Sequence, residues 1–158
     1  MNFFLDRHQL LLKELLNAKV DFIIIGGYSV IYHGYRRTTG DVDIWIKPDN
    51  ANKPKLLKAL ELCKIDKSAL VQISEYDFTD YLAFSIWEKP ERADFITKIN
   101  LVQYDEADKQ KIIADCEGIK VPFLHINHLV LSKINTGRLK DAADVEYLQK
   151  LQKLKKKK

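Results

Sequence analysis

The stretch FIIIGGYSVIYHGYRRTTGDVDIWI, from Phe22 to Ile46, decides how this chain reads. An apolar run breaks at Gly26-Gly27, and a second, alternating run carries Asp41 and Asp43. In a strand, residues two apart point to the same side. Asp41 and Asp43 therefore stand together, while Val42, Ile44 and Ile46 face a core. Adjacent carboxylates repel, and burying them unpaired is costly. A divalent cation between them removes the repulsion. Trp45 continues the face of the aspartates, so Asp, Asp, Trp reads as the lining of a pocket. Glycines between a strand and a helix let backbone N–H groups approach an anion. Ser29 then caps the helix or donates to a phosphate oxygen.

Around this stretch, Asp6–Leu16 has helical apolar spacing with Asp6 as the N-cap, and Val20–Ile25 is a short β-branched strand. Ser29–His33 forms a short helix stopped by Gly34, and Asp41–Ile46 a second strand. Asn50–Cys63 is amphipathic, and Lys67–Ser74 adds a helical turn or two. Tyr81–Trp87 and Ala93–Ile99 read as an antiparallel hairpin. Tyr104–Cys116 reads as a charged helix, and Gly118–Leu124, with Pro122, as an edge strand. The end is helical, Ile126–Ile134 then Leu139–Leu154, broken at Gly137. Helices and strands mix without strict βαβ alternation, so the expected class is α/β or α+β: a mixed sheet flanked by helices, with a helical C-terminus.

A length of 158 residues, 46% apolar and 30% charged, suits one globular domain. We expect residues 1–149 to form it and 150–158 to be a lysine-rich tail. That tail carries six of the positive charges behind the net +4, and the remaining body stands at −2. The body is therefore not a basic nucleic-acid-binding domain by composition. The tail reads as a solvated end that could also hold RNA or an acidic partner. No run approaches a membrane span, and the N-terminus reads as helix, not signal peptide. Cys63 and Cys116 lack CxxC spacing, which favours free thiols and a cytoplasmic setting. Scattered histidines argue against zinc, and no serine has a histidine–acid partner for hydrolase chemistry.

Strand, Gly-Gly-x-Ser, short helix, then Asp-x-Asp make one compact unit. Ile25-Gly26-Gly27, followed after thirteen residues by Asp41-Val42-Asp43-Ile44, resembles the signature of the DNA polymerase β-type nucleotidyltransferase superfamily. His33-Gly34 and Arg37-x-Thr39-x-Asp41 narrow the resemblance to small bacterial nucleotidyltransferases related to abortive-infection toxins of the type IV toxin–antitoxin class. The C-terminal run from Leu131 through Lys133, Gly137-Arg138-Leu139-Lys140-Asp141 and Asp144 resembles the helical ending of that family.

The resemblance implies a nucleotidyltransferase fold and a third carboxylate on a neighbouring strand. Asp94 is the candidate, with Asp77, Asp80, Glu88 and Glu91 as rivals. It further implies two Mg2+ ions, with Mn2+ as the alternative. Asp41 and Asp43 would hold the nucleotide-associated metal, Asp43 and Asp94 the second, and Asp94 would help deprotonate the attacking hydroxyl. Gly26, Gly27 and Ser29 would cradle phosphates, with Arg37 and Thr39 in the adjoining loop and Lys133 as a triphosphate contact. Arg138, Lys140, Asp141 and Asp144 read equally well as ordinary chemistry of a helix start.

The implied reaction moves an NMP from an NTP to an acceptor hydroxyl. That acceptor is an RNA or tRNA 3′ end, or a small molecule such as an aminoglycoside or lincosamide. An antitoxin partner belongs to the same resemblance, as does a fold retained for nucleotide binding without turnover. Residues 50–90, where the acceptor pocket would be shaped, match no pattern.

Overall fold

The computed structural model describes residues 3–35 and 39–156. Its centre is a six-stranded mixed sheet: β1 (Phe22–Ile25), β2 (Val42–Ile46), β3 (Ala83–Ile86), β4 (Ala93–Ile96), β5 (Ile112–Cys116) and β6 (Ile119–Phe123). The order across it is β3-β4-β2-β1-β6-β5. β1 pairs antiparallel with β2, β2 parallel with β4, and β3 antiparallel with β4. The helices are α1 (Asp6–Asn17), α2 (Gly26–Tyr32), α3 (Lys53–Leu62), α4 (Lys67–Ser74), α5 (Tyr104–Gln110), α6 (Ile126–Lys133) and α7 (Leu139–Lys156).

Period-two alternation sorts the strands between two cores. Phe22, Ile24, Val42, Ile44 and Phe95 pack with Leu11, Leu12 and Leu15 of α1 and Leu56 and Leu60 of α3. Ile23 and Trp45 face the other way, onto Tyr104 and Ala107 of α5, Leu129 and Val130 of α6, and Leu148 of α7. Each such side chain taken fully out of water contributes roughly 1.5–3 kcal/mol, so both layers are held chiefly by burial.

The α/β class, the hairpin and the helical ending stand as expected. Three local expectations do not. Asp6 is already inside α1, whose N-cap is Leu5 with no side-chain capping bond. The helix expected over Tyr104–Cys116 stops at Gln110, and Ile112–Cys116 becomes β5. Glu117 and Gly118, with φ of 56° and 87°, form the two-residue turn to β6. Both being left-handed matches the strand twist, and Asp115 accepts from the Gly118 N–H at 2.7 Å to close the turn. β6 is consequently interior, not an edge. Its Pro122 is accommodated because β6 pairs with β1 only at Ile24–Phe123. The helix expected over Leu139–Leu154 is present as α7, which runs on to Lys156. Among the described residues no helix is long and apolar enough to cross a membrane.

Candidate active site

The site grows from the β1–α2 junction. Gly26 follows β1 with φ +68°, a conformation that suits glycine. A Cβ there would collide with the Asp43 carboxylate, meeting its Cγ at 2.8 Å. The glycine thus lets Asp43, paired opposite Ile25, lie against the turn. Parallel pairing of β2 and β4 then sets Asp43 directly beside Asp94, on the same face. Asp41, just before β2, joins them.

All three aspartates line one cavity of about 1130 Å3, with Gly26, Gly27, Thr39 and Lys133 also on its wall. The rivals Asp77, Asp80, Glu88 and Glu91 do not line it. Asp77 is instead bound by Thr79 and Asn50, and Glu91 pairs with Arg7. Ser29 is fully buried in α2 and does not reach this wall; its hydroxyl has no hydrogen-bond partner among the described residues. Trp45 is also not part of the lining. Its indole donates to the Thr97 carbonyl at 2.8 Å and meets the Tyr104 ring edge-on. Arg37 lies outside the described residues.

Asp43 is the electrostatic focus. Burial, reinforced by Asp94 and then Asp41, pushes its carboxyl up to about 7, against a weaker pull from Lys133. Asp94 is restrained on its outer side: its Oδ1 accepts from Arg92 Nε at 2.9 Å and from the Ser85 hydroxyl. Arg92 also donates to Ser85 Oγ at 3.1 Å. Among the described residues, Asp41 Oδ1 is buried without a hydrogen-bond partner.

These oxygens suit a hard divalent cation, which takes carboxylate ligands and relieves the repulsion that raises Asp43. Among the described residues no three His, Cys, Asp or Glu side chains already form a metal-binding group. The fit rests on the Asp43–Asp94 pair and on the orphaned Asp41 oxygen.

Across the cavity, Lys133 at the end of α6 is only 11% exposed. Its ammonium lies 3.2 Å from both Asp141 Oδ1 and Asp144 Oδ2. Burial alone would raise Asp141, but the Thr136 hydroxyl and Lys133 outweigh it and hold the carboxyl below its ordinary range. Asp141 and Asp144 are therefore buried partners of a cavity lysine rather than solvated charges at a helix start. Ser85, Arg92, Thr136 and Tyr81 belong to the cavity region but escape the sequence pattern. Arg92-x-Asp94 places like-facing residues on one strand, and YLAFSIW alternates small with large, two signals that mark an open face.

No family model matches the chain, and no curated protein matches it in sequence. Solved structures do match. The nucleotidyltransferase candidate TM1012 of Thermotoga maritima superposes with a TM-score of 0.54 at 13% identity, covering 90% of each chain. The fold is that of the nucleotidyltransferases. A second structure of this fold, the lincosamide antibiotic adenylyltransferase LnuA with lincomycin bound, superposes with a TM-score of 0.51 at 16% identity. The match covers 96% of this chain and 99% of LnuA. In this nucleotidyltransferase fold the cavity lies over the β1–β2–β4 face, where Gly26, Asp43 and Asp94 meet.

Proposed function

We propose that the chain is a metal-dependent nucleotidyltransferase that moves an NMP from an NTP to an acceptor hydroxyl and releases pyrophosphate. The observation carrying this reading is the Asp43–Asp94 pair packed against Gly26, with Asp41 beside it. The Gly26-Gly27 turn offers backbone N–H groups to the phosphates, and Thr39 borders it. Lys133, held by Asp141 and Asp144, presents a fixed positive charge to the same cavity. Asp41, Asp43 and Asp94 would hold Mg2+, or Mn2+ in its place, whose role when bound is to neutralise charge on the phosphoryl group and its leaving oxygens.

The balance of the step is simple. An acceptor oxygen forms a bond to the α-phosphorus while the bond from that phosphorus to the bridging oxygen breaks. Pyrophosphate leaves with the electron pair, and the acceptor proton passes to Asp94, whose Oδ1 is fixed by Arg92 and Ser85. No covalent intermediate on the protein is needed.

An RNA 3′ end is the favoured acceptor, because Lys89, Lys98, Arg138 and Lys140 line the cavity and all four are exposed. The likeness to LnuA, carrying lincomycin over nearly the whole chain length, supports a lincosamide-like small molecule as the second reading. Incubation with each labelled NTP, Mg2+ and either total RNA or a panel of aminoglycosides and lincosamides tests both. Label should transfer with wild-type protein and not with Asp43→Ala. Undiminished transfer in that variant would overturn the site assignment.

A further inference from the structure

Strand β3 is a sheet edge with two unlike faces. Leu82, Phe84 and Ile86 turn inward, Ile86 being 5% exposed and Phe84 stacking on Phe95. Ala83 and Ser85 turn outward and are exposed, as is Tyr81 just before them. Antiparallel pairing sets Ser85 opposite Asp94 and Ala83 opposite Ile96. Beyond the last pair the Thr97 N–H bonds the Leu82 carbonyl at 3.1 Å, and Tyr81 and Lys98 both line the cavity past that point. The outward row of β3 therefore extends the aspartate face by one strand. It has small residues in the middle and an aromatic ring and an ammonium at its far end. Tyr81 is 64% exposed, lines the cavity with Lys98, and has no ring partner among the described residues.

The stereochemistry of the transfer gives this row a use, and the argument rests on the transferase reading above. Attacking and leaving oxygens lie on opposite sides of the phosphorus in an in-line displacement. Across the sheet, the phosphate turn is at β1, Asp43 on β2 and Asp94 on β4. A leaving group held at Gly26-Gly27 puts the acceptor on the far side of Asp94, over β3.

We propose that the outward face of β3 is the acceptor subsite, where Tyr81 stacks on the terminal base of a single-stranded RNA and Lys98 meets its phosphate backbone. Ala83 and Ser85 keep the row shallow beside Asp94, where the Arg92 guanidinium on Ser85 and Asp94 Oδ1 borders the path of the ribose. The exposed cations Lys89 and Lys98 match the charge of a polyanion and disfavour a cationic drug. An aromatic face without a partner takes any base, so recognition of the terminal base is expected to be tolerant of sequence.

The test uses the full chain and a short single-stranded RNA labelled at its 5′ end. Fluorescence anisotropy gives the dissociation constant, and initial rates give separate KM values for RNA and ATP. Tyr81→Ala should weaken RNA binding and raise the RNA KM by about tenfold, the typical size of one lost base stack. Its KM for ATP should stay put, and Tyr81→Phe should bind like wild type. Lys98→Gln should weaken binding and flatten its salt dependence. Equal RNA affinity in wild type and Tyr81→Ala overturns the subsite, as does a wild-type protein that binds no RNA. If transfer to RNA depends on Asp43 while Tyr81→Ala is silent, the subsite fails and the transferase reading stands. If Tyr81→Ala weakens RNA binding but no NTP yields transfer to any acceptor, the transferase reading fails and β3 remains an RNA-binding face.

Discussion

Two charged clusters face each other across the cavity, and their charges are balanced differently. Around Lys133, one ammonium meets the buried carboxylates of Asp141 and Asp144, with Thr136 donating to Asp141. Around Asp43, carboxylates gather with too little positive charge: Arg92 engages the outer oxygen of Asp94, and Lys133 acts only as a weaker, opposing field. With Arg138 3.7 Å from the other Asp141 oxygen, the first cluster sets two cations against two carboxylates. The second is left short of cations, and that deficit is what a bound metal and nucleotide would complete. A protein tolerates such a deficit only where stability is subordinate to binding.

The contrast can be broken experimentally, beginning with the largest effect. Asp43→Ala should cut transfer on the order of a thousandfold while the protein still melts cooperatively, because it removes a site carboxylate and relieves repulsion. Retained activity, measured as label incorporated per minute, would show that Asp43 is not in the site. Lys133→Met should cost stability as well as transfer. It strands Asp141 and Asp144 in the interior, and losing one member of a buried pair costs about 3–5 kcal/mol. Denaturant unfolding that matches wild type would show that the two carboxylates are not held by this lysine.

Two smaller effects sharpen the difference. Mg2+ at a hundredfold its dissociation constant should stabilise the wild type by about 2.7 kcal/mol, seen as a higher Tm, and leave Asp43→Ala nearly unmoved. An equal Tm rise in both proteins would place the ion elsewhere. Without metal, the folded protein binds the Asp43 proton more tightly than the unfolded chain does. Stability relative to Asp43→Asn should therefore fall as pH rises from the ordinary carboxylate range through about 7. The slope is at most about 1.4 kcal/mol per pH unit, reduced by the solvent that reaches the site. A flat difference across that window would mean that burial, Asp94 and Asp41 do not together raise the Asp43 carboxyl.

Much of the fold was readable because it is local. Alternation in Asp41–Ile46 and the apolar spacing of Asp6–Leu16 depend only on strand and helix periods. The failure at Ile112–Cys116 came from the same source. Seven helical residues run straight into a short apolar segment, and the Glu117-Gly118 turn that makes it a strand is legible only once Ile119–Phe123 is known to fold back on it. Trp45 shows the limit in another way. It shares a face with Asp43, as alternation requires, yet α5 covers it and the aspartates are left open. Which part of a face becomes pocket depends on which helices land on it.

Local residue order is enough for the Gly26-Gly27 break, the common face of Asp41 and Asp43, and the two-sided strands that demand a covered sheet. These follow from φ/ψ restrictions and side-chain periods within a few residues. Tertiary structure decided that Asp94 lies beside Asp43, that Lys133 is gripped by Asp141 and Asp144, and that Ser29 is buried away from the cavity wall. It also decided that Tyr81 and Lys98 line the same cavity. Each of these depends on strand register or helix docking between segments far apart in the chain. That choice is made by burial and pairing summed over the whole domain, which no local window contains.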